Sequence, residues 1–73
     1  MLRTRFDRFK VKSRMERAGI SKFEDLAEKA GISPTTLYNT MDSYSWRGAT
    51  IDHVADALSC NPLELLTVDE VAA

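Results

Sequence analysis

The sequence predicts an all-α domain of five short helices. Three observations predict it. Apolar residues recur at three- and four-residue spacings, without strand-like alternation. Residues able to cap a helix precede several of those segments. Gly19, Gly31, Pro34 and Pro62 fall at the ends of segments, where a helix stops or starts.

The first segment runs from about Leu2 to Ala18 and stops at Gly19. At 100° per residue its apolar side chains form two faces, Leu2/Phe6/Phe9 and, roughly opposite, Val11/Met15/Ala18. Either the helix breaks near Phe9 or one face serves a partner. Residues 1–9 are thus an extension of helix one or an N-terminal arm carrying Arg3, Arg5 and Arg8. Ser21 and Glu24 have capping-box spacing, and helix two follows over about Lys22 to Ala30, with Phe23, Leu26, Ala27 and Ala30 on its inner face. Ser33-Pro34 opens helix three, which runs to about Met41 with Leu37 and Met41 inward. Asp42 to Gly48 reads as a loop bearing Tyr44, Trp46 and Arg47. Thr50 is placed to cap helix four, whose Ile51, Val54, Ala55 and Leu58 follow the helical template. Asn61-Pro62-Leu63-Glu64 repeats the start signal for helix five, about Pro62 to Thr67, with Leu63 and Leu66 inward. Residues 68–73 form an acidic C-terminal tail.

Seventy-three residues, 44% hydrophobic and 29% charged, specify a single globular domain over residues 1–73. A chain this short buries only about 60% of its unfolded surface, so the helices must share one core. That leaves little room for an enzyme's pocket, and no enzymatic activity is expected. A single cysteine, Cys60, excludes an internal disulfide framework, and with the single His53 it excludes the usual structural zinc site. Cys60 is expected in an apolar slot between helices four and five, and His53 on the surface. No cofactor, metal or small-molecule ligand is indicated. No apolar run approaches a membrane span and no secretory h-region is present, so a cytoplasmic location is expected.

The net charge of −1 conceals an asymmetry. Residues 1–22 hold eight of the ten Lys and Arg against Asp7 and Glu16, whereas residues 23–73 hold Lys29 and Arg47 against nine acids. A basic face on an acidic body fits a polyanionic partner, though two solvated helix surfaces fit the pattern too.

Between Leu26 and Leu37 lies the most informative stretch. Helices two and three are joined by a turn too short for an antiparallel hairpin, so they cross steeply. Ala27 allows close approach, Gly31 supplies a positive φ, and Ile32 and Leu37 fill the angle. This is a helix-turn-helix arrangement.

The chain resembles the lambda-repressor-like domains, the Cro family of phage and bacterial regulators (XRE-type), over about residues 10–67. The resemblance rests on Leu26-Ala27, Gly31-Ile32-Ser33, Leu37, the Ile51/Val54/Ala55/Ala57/Leu58 run and Leu63-Glu64-Leu65-Leu66, with Lys10 to Arg14 similar to phage repressor first helices. It implies a five-helix bundle whose third helix enters the DNA major groove. Three departures stand out. The Gly19–Leu26 segment is one residue longer than usual, which puts Phe23 where the family often has a phosphate-contacting Gln. Met15 and Met41 replace a buried Arg–Glu pair, an exchange that costs little when both partners change together. The loop before helix four is one residue shorter and contains Trp46, either a lid over helices three and four or an exposed contact.

The resemblance places Pro34, Thr35, Thr36 and Asn39 toward the bases. Asn39 has the geometry to pair with adenine N6 and N7, and the threonine methyls suit thymine. Ser33 and Tyr38 on helix three, with Lys10, Arg14, Lys22, Lys29 and Arg47, are the candidate phosphate contacts. The N-termini of helices two and three add backbone N–H groups. Helix three carries no Lys or Arg, so a preference for A·T positions or modest specificity is expected.

The resulting expectation is a sequence-specific DNA-binding transcriptional regulator, a repressor that binds double-stranded DNA as a homodimer on a pseudo-palindromic operator. Leu65, Val68 and Val71, or alternatively the Leu2/Phe6/Phe9 face, would supply the dimer surface. The competing expectation is a protein-interaction module, or an antitoxin-type partner, with weak or no DNA binding. Its support is the net negative charge, the cation-free third helix and Phe23.

Overall fold

The computed structural model describes residues 1–72. In chain order it contains β1 (Leu2–Phe6), α1 (Arg8–Ala18), α2 (Phe23–Ala30), α3 (Pro34–Thr40), α4 (Gly48–Ala57), a single 3-10 turn at Pro62–Leu65 and β2 (Leu66–Glu70). Four α-helices and a two-stranded sheet therefore replace the expected five-helix, all-α arrangement.

The largest correction concerns the two chain ends. β1 and β2 pair antiparallel in the register Leu2 with Glu70, Thr4 with Val68 and Phe6 with Leu66. Residues 2–6 are neither helix nor free arm, and Val68 to Glu70 belong to a strand rather than a loose tail. Just beyond, the Val71 N–H donates to Met1 O at 2.8 Å. Ala73 lies outside the described residues.

Asp7 ends β1 and starts α1. Its Oδ1 accepts from the N–H groups of Phe9 (2.9 Å) and Lys10 (3.4 Å), and its Oδ2 accepts the Thr67 hydroxyl at 2.6 Å. The break in the first segment thus falls at Asp7, and it separates the expected Leu2/Phe6/Phe9 face. Phe6 enters the core, while Phe9 stays 82% exposed. The arm arginines are folded down. Arg5 bonds Asp69 at 2.7 Å and Asp42 at 3.1 Å, Arg3 lies over the Tyr44 ring, and Arg8 lies over the Phe23 ring.

Helix boundaries follow local chemistry, with two exceptions. Gly19 and Gly31 end α1 and α2 with φ of 73° and 75°. Ser33 accepts the Thr36 N–H at 3.1 Å to start α3. Asn61 and Glu64 complete the capping box before the 3-10 turn. By contrast, the Ser21–Glu24 box does not form. Lys22 sits at the N-cap of α2, and Glu24 instead takes the Tyr38 hydroxyl. Nor does Thr50 cap α4, which already begins at Gly48 after Arg47.

The expected helix five is one turn long. A turn of three residues per revolution sends Leu65 into the core and leaves Leu63, expected inward, 73% exposed. Leu66 is half-buried at the start of β2. Leu65 is therefore unavailable as dimer surface. The core comprises Phe6, Val11, Met15, Leu26, Ala27, Leu37, Met41, Ile51, Val54, Ala55, Leu58 and Leu65 among others. Met15 and Met41 are both in it, as their joint replacement of a charged pair requires. Cys60 is only half-buried against this core, and burial pushes its thiol pKa up. His53 is exposed. Trp46 covers the edge of β1, and its Nε1 donates to Thr4 O at 2.9 Å.

Among the described residues no helix is long and apolar enough to cross a membrane, and no metal-binding group of His, Cys, Asp and Glu occurs.

Candidate nucleic-acid interface

The turn at Gly31 and Ile32 sets α3 against α2. The Ile32 N–H donates to Ala27 O at 3.0 Å, which holds the chain close to α2 as it reverses. α3 is fixed from beneath by buried Leu37 and Thr40, and the Thr40 hydroxyl donates back to Thr36 O at 2.7 Å. With that face held, the opposite face is presented to solvent. Pro34, Thr35, Thr36 and Asn39 are all exposed, as the sequence implied for the base-facing set. Pro34, Thr35 and Asn39 have no side-chain hydrogen bond among the described residues. Thr36 receives the Ser33 hydroxyl proton at 2.8 Å, so Ser33 is engaged in capping the helix.

Beside this face runs an open groove between α3 and the start of α4, lined by Thr36, Asn39, Ser45, Trp46, Arg47 and Thr50. Arg47 is exposed and makes no ion pair among the described residues, so its charge is available at the groove. Ser45 and Thr50 were not anticipated there. Thr50 read as a cap, and nothing in the local pattern of Ser45 distinguishes it from any loop serine.

The other end of α3 is less accommodating to an anion. Tyr38 donates its hydroxyl to Glu24 Oε1 at 2.7 Å, a bond that raises the Tyr38 pKa and lowers that of Glu24. The Phe23 and Tyr38 rings meet edge-on, with centroids 5.9 Å apart. Arg8, unanticipated here, completes the cluster over Phe23 at 5.4 Å. Lys22 is exposed at the start of α2.

The remaining cations are not gathered around α3. Lys10 Nζ donates to Leu66 O at 2.7 Å, and Arg14 pairs with Glu64. Together with Ser13 and Arg17 they line a groove against the 3-10 turn. Arg14, Arg17 and Lys29 line a second one at the C-terminal end of α4, beside Leu58 and Ser59. α4 thus has the α3 groove at its first turn and this basic surface at its last. The structure brings Ser33, Pro34, Thr35, Thr36, Tyr38, Asn39 and Arg47 together, with Lys22 exposed at the start of the neighbouring α2. It sets Lys10, Arg14 and Lys29 apart from them.

A model of the family described as Cro/C1-type HTH DNA-binding domain matches residues 10–70, a span that includes β2 and omits β1. No curated protein and no solved structure matches the chain.

Proposed function

The chain belongs to the Cro/C1-type HTH DNA-binding domain family, and on that premise we propose that it is a transcriptional repressor that binds a pseudo-palindromic operator as a homodimer. One observation carries this reading. α3 is anchored by Leu37 and Thr40 while Pro34, Thr35 and Asn39 stand exposed and unbonded beside the unpaired Arg47. In the proposal α3 lies in the major groove. Asn39 pairs with an adenine edge, and the methyls of Thr35 and Thr36 meet thymine. Arg47 and Lys22 contact phosphates on either side, and these contacts set the register of the helix in the groove. Lys10, Arg14 and Lys29 contribute through the long-range field rather than by direct contact. Occupancy of the operator would block polymerase.

The test is selection from a random duplex pool at low salt, with Asn39→Ala alongside. The expected outcome is enrichment of two half-sites about 10 base pairs apart centre to centre, one helical turn. Asn39→Ala should lose about 5- to 150-fold in affinity, the equivalent of ~1–3 kcal/mol for a bidentate base contact, and should relax one adenine position. Its fold should be unchanged, since Asn39 is exposed.

A second reading is a protein-interaction module, including an antitoxin-type partner. The observation favouring it is that the Tyr38 hydroxyl and the Lys10 and Arg14 head groups are already bound within the molecule. A salt titration separates the two. A DNA binder loses affinity linearly in log salt with a slope set by its phosphate contacts, whereas an interaction module shows little duplex binding even at low salt.

A further inference from the structure

α1 buries Val11 and Met15 and carries two rows of side chains on its outer surface that the reading of α3 does not use. Phe9, Ser13 and Arg17 follow one another at four-residue spacing, and Lys10 and Arg14 form a second row beside them. Arg14 and Arg17 line both the groove against the 3-10 turn and the groove that continues to Lys29 and Ser59 at the end of α4. The two grooves are therefore one basic trough, joined at those arginines. Among the described residues that line it, Glu64 is the one carboxylate, and Arg14 holds it. Arg17 and Lys29 are exposed and make no ion pair or side-chain hydrogen bond among the described residues. Both stand in the last turn of their helices, where a cation complements the helix dipole. Lys10 and Arg14 do not, so the dipoles do not account for the cluster. Two exposed apolar side chains flank the trough. Phe9 stands one turn before Ser13, and Leu63 adjoins Glu64.

We propose that this trough binds a short acidic segment of a partner protein, with carboxylates on Arg17 and Lys29 and apolar side chains against Phe9 and Leu63. Three observations select a peptide over a nucleic acid. First, the groups already held there are those a peptide carries. Arg14 takes the Glu64 carboxylate, and Lys10 Nζ donates to a main-chain carbonyl, Leu66 O, at 2.7 Å. Second, Glu64 stands within the row of cations, where a phosphate backbone would meet a like charge. Third, the apolar part of the site is mostly aliphatic. Ala57 and Leu58 line the far end beside Lys29, Leu63 flanks the near end, and Phe9 is a single ring. Binding of single strands relies instead on stacking successive bases on aromatic rings. The dimensions fit a short segment. α1 rises about 12 Å from Phe9 to Arg17, a distance that about four extended residues cover. α4 has the α3 groove at its first turn and the trough at its last. A duplex on α3 and a partner in the trough are thus held at opposite ends of one helix, and occupancy of the trough is independent of the reading of α3.

The probe is a synthetic peptide alternating aspartate and leucine, and the readout is the backbone amide shifts of the isotope-labelled full chain at low salt. Saturable shifts are expected at Ser13, Arg17, Lys29 and Ser59, with none along Pro34–Thr40. Arg17→Glu should weaken binding about tenfold, the equivalent of one charge-assisted contact. Lys12→Glu makes the same change of charge on α1 but lines neither groove. It should weaken binding about twofold at most, as expected of a screened surface charge. Phe9→Ala should also lose about tenfold, the equivalent of covering much of one aromatic ring. Should Arg17→Glu fail to fold, Lys29→Glu decides, with the same expected loss. No saturable shift overturns the proposal. Equal losses in Arg17→Glu and Lys12→Glu overturn it too, since the peptide then follows the general field. Undiminished binding by Phe9→Ala, or shifts along α3, likewise overturn it. A single-stranded oligothymidylate that gives the same map more tightly than the peptide overturns the choice of occupant.

Discussion

Asp7 joins the two halves of the structure, and its removal tests whether they are joined there. The carboxylate is almost fully buried. It caps α1 through Phe9 and Lys10, accepts the Thr67 hydroxyl at 2.6 Å and lies 3.7 Å from Arg5. Asp7→Ala removes the cap, which costs about 1 kcal/mol. It also removes a charge-assisted bond to Thr67, about 1.5 kcal/mol at the low end of the usual range, because half-buried Thr67 still reaches water. The sum is roughly 2–3 kcal/mol. At ~4–8 °C per kcal/mol for a domain of this size, the melting temperature should fall by roughly 8–24 °C. Asp7→Asn retains a good cap acceptor and should lose distinctly less.

Acid provides an independent check. Burial alone would raise the Asp7 pKa, but the bonds from Thr67, Phe9 and Lys10 and the charge of Arg5 outweigh it and hold the pKa below its ordinary value. The stabilisation is therefore complete above the unfolded value near ~3.9 and is lost as pH falls through the lower folded value. The gap between wild type and Asp7→Ala, measured by thermal unfolding followed by circular dichroism, should narrow below pH ~4. A shift of under about 2 °C at pH 7, far below that expected from cap loss alone, would refute the reasoning. So would an Asn variant as unstable as the Ala variant, or a gap that does not change in acid.

Two further substitutions separate local from tertiary contributions. Phe6→Ala should destabilise the fold by about 3–5 kcal/mol, as for other buried phenylalanines. Phe9→Ala, at an exposed site, should stay within about 0.5 kcal/mol, and urea midpoints of the pair would converge if residues 2–9 were one continuous helix, which would put both rings on one face. Gly31→Ala should cost about 1–2 kcal/mol through backbone strain alone, because a Cβ there meets nothing within 4 Å while φ is 75°. An unchanged melting temperature would show that the turn between α2 and α3 relaxes freely.

The helix-turn-helix was legible because its determinants are neighbours in the chain. Ser33 caps its helix by accepting an N–H only three residues along, Gly31 needs only its own φ, and Leu37 is placed by helical period. The same holds for Asn61 and Glu64. The Ser21–Glu24 box was equally well spaced, yet it lost Glu24 to Tyr38, which lies 14 residues away and reaches it only after α3 has folded back. The exposure of Asn39 could be read from the helix period. That Arg47 faces the same groove, and that Lys10 and Arg14 do not, depended on where α4 points.

The strands show the limit most clearly. Leu2-Arg3-Thr4-Arg5-Phe6 and Leu66-Thr67-Val68-Asp69-Glu70 are too short for a two-residue period to stand out, and each carries charges that read as arm and tail. Paired, those charges become the Arg5–Asp69 contact, and Phe6 finds a core. From its own residues the chain determined four helices, their stops and the outward face of α3, since each depends on interactions within about one turn. Only the tertiary structure decided that the ends form a sheet and that Leu65 rather than Leu63 turns inward. Those outcomes require residues more than 40 positions apart to meet, and no local signal encodes whether they will.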